Sequence, residues 1–92
     1  MNLITGEELI DFAKTIKTKS EFEYFLKCLV ADYTRNRDEW ENSDLQSYLE
    51  GLNNFVPSMD GYYENVGEDV DVETASWRIV AESLIAASVY GN

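Results

Sequence analysis

Apolar residues recur along most of this chain at spacings of three and four, the signature of helices with one face turned inward. The densest run is the last, Ser76 to Tyr90. Trp77, Val80, Ala81, Leu84 and Ser88 fall on one face, and Ile79, Ala86 and Tyr90 on a second. Only Arg78 and Glu82 look made for water. A helix apolar around most of its circumference is normally enclosed on several sides, so the pattern predicts a central C-terminal helix with the rest of the chain as its walls. Upstream, Leu9, Phe12, Ala13 and Ile16 form the stripe of a first short helix. Phe22, Phe25, Leu26, Leu29, Val30 and Tyr33 form that of a second, ending near Asn36. Leu45, Tyr48, Leu49, Leu52, Phe55 and Val56 form that of a third.

Three capping-box spacings predict where these helices begin: Thr5 with Glu8, Ser20 with Glu23, and Ser43 with Gln46. Thr74 or Ser76 caps the last. The polar stretch Arg35 to Asn42 is a connection from which Trp40 folds back onto the bundle. Gly51 inside the third helix marks either close packing or a tolerated defect of about 1 kcal/mol. Pro57 either ends that helix or starts another, and Asp60-Gly61 is either a turn or a helical step. Val70 and Val72 alternate as a brief extended piece would, with no partner strand in view. The prediction is all-α: a single domain over residues 1–92, a small bundle of four to five helices. Trp77, Val80, Leu84, Leu52, Leu49, Leu29 and Phe25 are expected to share its core.

Ninety-two residues suffice for one core and not for two. At 45% hydrophobic and 13% aromatic the chain is a folder despite a net charge of −11. No apolar run approaches a membrane span, and the first residues lack the pattern of a signal peptide, so the expected location is cytoplasmic. The lone Cys28 sits in the apolar run F-L-K-C-L-V and reads as a small buried hydrophobe. There is no histidine, which removes imidazole as a general base and as a zinc ligand. The expectation is a protein with no enzymatic activity, no cofactor and no metal site. Asp69, Asp71 and Glu73 alternate as calcium ligands often do, but their loop lacks the glycine and bidentate glutamate of an EF-hand.

Charge is distributed unevenly. Residues 1–37 carry six basic and six acidic residues, whereas residues 38–92 carry twelve acidic residues and a single base, Arg78. Such asymmetry points to a basic protein partner, because an acidic surface attracts and orients one during encounter. It argues against nucleic acid, whose phosphates would be repelled. The alternative is that the acidic surface serves solubility alone. The expected contact region is Asp60, Tyr62, Tyr63, Glu64, Glu68, Asp69, Asp71 and Glu73. Adjacent helical positions point about 100° apart, so one of the two tyrosines is expected to face inward and one outward.

Four stretches, E-W-E-N at Glu39 to Asn42, L-x-x-Y-L-E-G-L at Leu45 to Leu52, M-D-G-Y-Y-x-N at Met59 to Asn65, and S-W-R opening the alanine-rich run at Ser76 to Ala87, together resemble a family of small bacterial domains of unknown function. The likeness spans Phe22 to Tyr90, and Pro57 falls outside its pattern. It implies helical structure and brings no activity or catalytic residue. Two functions fit: an acidic module that binds a basic partner, most concretely an immunity protein neutralising a toxin domain such as a nuclease, and a regulatory or housekeeping module that binds another protein or oligomerises through an apolar patch.

Overall fold

The computed structural model describes residues 3–91, and among these every regular element is helical. Five α-helices follow one another: α1 (Glu7–Ala13), α2 (Lys19–Arg35), α3 (Leu45–Phe55), α4 (Met59–Asn65) and α5 (Trp77–Ala86). A 3-10 turn at Arg37–Glu39 follows α2, and another at Val56–Ser58 joins α3 to α4. Pro57 lies in that second turn, so it ends one helix and leads into the next, and Asp60-Gly61 is helical. Val70 and Val72 form no strand; both lie half-buried against the core.

Helix starts differ from the sequence expectation by one or two residues. Thr5 does not cap α1. The N-cap is Gly6 at φ 63°, a backbone conformation that glycine adopts without penalty, and no side chain caps it. Its N–H donates instead to Asp32 Oδ1 at 2.7 Å, so a distant carboxylate anchors the start of α1. The box that opens α2 is Thr18 with Glu21, not Ser20 with Glu23. Glu21 N donates to Thr18 Oγ1, while Glu21 Oε1 accepts from the backbone N–H of Lys17 and Thr18. Glu23 is drawn into an exposed pair with Lys19. At α3 the cap is Asp44, accepting from Ser47 N at 2.8 Å, rather than Ser43. Ser76 caps α5 by accepting from Ile79 N, and the helix ends at Ala86, short of Tyr90.

Helix α5 is central. It packs against α1, α2 and α3, and two apolar clusters meet on it. One joins Leu9, Ala13, Ile16, Phe25 and Cys28 to Ala81; the other joins Phe55, Met59 and Tyr63 to Ile79. Each fully buried large side chain among these contributes roughly 1.5–3 kcal/mol by leaving water. Beyond α5 the chain is held by Asn42, whose Nδ2 donates to Ala87 O at 2.8 Å and Tyr90 O at 2.7 Å while its backbone N–H donates to Ser88 O at 2.8 Å. These bonds satisfy carbonyls of the turn that follows the helix, while the N–H groups of that turn bond back to Ser83, Ile85 and Ala86.

The expected core requires correction. Phe25 is buried, and Leu29, Leu52 and Leu84 are half-buried, but Trp77, Val80 and Leu49 are exposed. Their stripe is a shoulder of the core. The buried arc of α5 is turned toward Ile79, Ala81, Glu82 and Ser83, because α1 and the α4 cluster approach it from that side.

Candidate functional site

The acidic region begins on α4 and continues through the loop that returns the chain to α5. Asp60 and Glu64 lie one turn apart on the outer face of α4, exposed, as are Asp69 and Glu73 in the loop. These four form no ion pair among the described residues. The other predicted contacts have structural partners. Asp71 folds the loop, accepting from Glu73 N at 3.0 Å and Thr74 Oγ1 at 2.7 Å, and those bonds hold its carboxyl below the usual range. Glu68 accepts from Arg78 Nη2 at 2.8 Å.

Tyr63 is corrected from contact residue to core residue, with 2% of its surface exposed. Its hydroxyl donates to Glu82 Oε1 at 2.7 Å, and burial, followed by that bond, drives its ionisation far above the ordinary phenol range. Tyr62 is half-buried, its ring edge-on to Phe55 and Tyr63. One tyrosine therefore faces in and the other reaches the surface, as adjacent helical positions require.

Glu82 also departs from expectation: it is buried rather than solvated. Arg78 Nε donates to Glu82 Oε1 at 2.7 Å, and the same guanidinium reaches Glu68. Spacing alone makes Arg78 and Glu82 an ordinary surface pair at i, i+4, and no local signal distinguishes it from one brought inside by a tyrosine nineteen residues away. The consequence is electrostatic. Arg78, the single base of residues 38–92, is committed to the buried Glu82 and the half-buried Glu68, so nothing in that segment offsets Asp60, Glu64, Asp69 and Glu73.

The residues that mark the E-W-E-N and S-W-R stretches are structural. Trp40 Nε1 donates to Asp32 Oδ2 at 2.7 Å, and its ring packs against Tyr33 and Tyr48. Asp32 is buried. Burial works to raise its pKa, but hydrogen bonds from Trp40, Asn36 and Gly6 outweigh it and hold the carboxyl below its ordinary value. Trp77 stacks on Phe22. Cys28 is fully buried. Among the described residues no group of three or more acidic, cysteine or histidine side chains converges as a metal site would, and no helix is long and apolar enough to cross a membrane.

A different surface lies between α2 and α3, each of which packs against α5. Of the ten large hydrophobic residues exposed among the described residues, six belong to these three helices' outer shoulders: Leu26, Val30, Leu45, Leu49, Trp77 and Val80. Val30 and Leu45 are 69% and 73% exposed and flank a groove of about 320 Å³ whose floor includes Leu29 and Tyr48.

Comparison with curated proteins and with solved structures gives no match. Residues 18–91, which take in α2 through α5 and both surfaces, match the family described as "Family of unknown function (DUF7660)". The chain belongs to this family, DUF7660, whose function is unknown.

Proposed function

We propose that this chain is an acidic protein-binding module that receives a basic protein partner on α4 and the loop after it. The supporting observation is that Asp60, Glu64, Asp69 and Glu73 are exposed while Arg78 is engaged internally. Clustered exposed carboxylates raise encounter rates with cations and orient them. Tyr62 is the aromatic contact beside them. The most concrete version is an immunity protein acting in the cytoplasm on a basic toxin such as a nuclease, whose phosphate-holding site carries the positive charge that this surface complements.

The test begins with a partner captured from the native host and identified by mass spectrometry. Its association rate is expected to fall as salt rises, because exposed charges are screened beyond about 8 Å at physiological ionic strength. Reversal of Asp60, Glu64, Asp69 and Glu73 to lysine is expected to slow association by at least about tenfold with little change in thermal midpoint. Asp71 is left intact because it folds the loop. Association indifferent to both salt and the reversals would leave the acidic region a solubility feature.

A second reading, oligomerisation or partner binding through an apolar patch, is favoured by the α2–α3 shoulder. Contiguous apolar surface bordered by polar residues is characteristic of interfaces. Under this reading, sedimentation velocity shows mass rising with concentration, and Val30→Glu with Leu45→Glu returns the protein to monomer without lowering its midpoint. A monomer at every concentration, with partner binding insensitive to both substitutions, counts against it.

A further inference from the structure

A second cavity, at about 670 Å³ roomier than the α2–α3 groove, is lined by residues of α5 together with residues of α1, the end of α2 and α4. Its floor is Glu82, Ile85 and Ala86, continuing into Val89. These positions repeat at three and four residues, as one open face of a helix does. Ile10 of α1, Tyr62 of α4, Trp40 and Tyr90 also line it. The volume lies in the range of small-ligand pockets and admits a long side chain together with the backbone that carries it.

Every charged residue lining this cleft is an acid: Glu7, Asp32, Glu39 and Glu82. The nearest bases are turned to other tasks. Arg35 Nη1 donates to Leu3 O, Arg37 lies over the Tyr33 ring, and Arg78 approaches Glu82 through Oε1. Both oxygens of Asp32 are engaged, Oδ1 by two donors and Oδ2 by one. Glu82 is not. Its Oε1 accepts from both Tyr63 and Arg78, while no described residue donates to Oε2. Since no fully buried side-chain oxygen among the described residues lacks a partner, Oε2 is the atom that this side chain, 94% buried, presents to the cleft. Arg78 already balances one charge at Glu82, so the attraction for a further cation comes from Glu7, Asp32 and Glu39, which no base in the lining offsets, with Glu82 Oε2 as a free acceptor and the aromatic faces adding cation–π attraction.

We infer that this cleft is the receptor for one arginine or lysine side chain of the basic partner, its aliphatic stem between Ile10 and Ile85 and its cationic head at Glu82 Oε2. The inference rests on the proposed function and specifies where the partner is anchored: the exposed acids steer, and the cleft holds. A metal ion does not suit the site, because among the described residues no three acidic, cysteine or histidine side chains converge.

The experiment is an NMR titration of the full chain with the peptide acetyl-Gly-Arg-Gly-amide, alongside the same peptide with citrulline, the neutral isostere of arginine. Saturable shifts at the Trp40 indole N–H and the Ile10 and Ile85 methyls are expected with arginine and at least tenfold weaker binding with citrulline. Glu82→Gln should weaken the arginine response by about tenfold. Because that change also touches Tyr63 and Arg78, Ile10→Trp provides the second arm: at an exposed position that lines the cleft it obstructs the site, is expected to leave the thermal midpoint unchanged and should abolish the response. In the captured partner's kinetics Ile10→Trp should speed dissociation and leave association unchanged. Shifts confined to residues 60–73, or equal shifts with citrulline, overturn the cleft while leaving acidic steering intact; loss of salt dependence in partner association overturns the proposed function instead.

Discussion

Replacement of Asp32 by alanine is expected to lower the unfolding free energy by about 3–4 kcal/mol, the larger part of what one residue can contribute in a domain of this size. One carboxylate accepts from the Gly6 backbone, the Asn36 amide and the Trp40 indole, so its removal strands three donors around a buried site. It also releases three segments from one another: the start of α1, the end of α2 and the turn that carries Trp40. The thermal midpoint should fall by more than about 12 °C, at 4–8 °C per kcal/mol for a domain this small. A midpoint within 3 °C of the parent protein would show that water replaces the carboxylate at little cost.

The same residue sets an acid limit. Its folded pKa lies below the ordinary carboxylate value, so its contribution is present above the unfolded pKa of about 3.9 and is lost as pH falls through the folded value. Asp32→Asn retains one acceptor and cannot titrate. The stability difference between parent and Asp32→Asn should therefore be constant above about pH 5 and shrink below pH 4. A difference that stays constant down to pH 2 would remove Asp32 as a source of acid sensitivity.

Periodicity predicted the helical class and the centrality of α5, because a helix apolar on most sides must be enclosed whatever its neighbours are. It placed the core on the wrong arc. Trp77, Val80 and Leu49 share a spacing with truly buried residues, but helical spacing defines a stripe and leaves open which edge of it the neighbouring helices cover. The cap errors have a similar origin. Thr5 and Ser20 satisfy a spacing rule locally, but Gly6 is fixed by donating to Asp32, twenty-six residues away, and Thr18 with Glu21 is a competing box of the same spacing, so spacing alone does not choose between it and Ser20 with Glu23. The acidic region was legible because charge is additive along a sequence. The cleft was not: Glu82 lines it with Oε1 held by Tyr63 and Arg78, an arrangement reaching across nineteen residues. Of the predicted contact residues, only Tyr62 borders both the acidic helix and the cleft, which makes it the point where the two surfaces join.

Gly51→Ala is expected to destabilise the protein by about 2–3 kcal/mol even though alanine is the better helix former by about 1 kcal/mol. A Cβ at this position would lie 2.5 Å from Ala87 O and 2.7 Å from Asn42 Nδ2. Those two atoms are hydrogen-bonded to each other at 2.8 Å, so neither can withdraw without opening the closure that Asn42 makes at the end of α5. The sequence left close packing and a tolerated defect as equal explanations for this glycine, and the geometry selects close packing. Gly61 provides the control, since it sits in α4 with nothing within 4 Å of a Cβ. There alanine should stabilise by about 0.4–1 kcal/mol through propensity and a less flexible unfolded chain. Denaturant midpoints for the two variants should therefore move in opposite directions from the parent. Stabilisation by both would mean that the chain after α5 yields easily, and that Asn42 does not fix its position against α3.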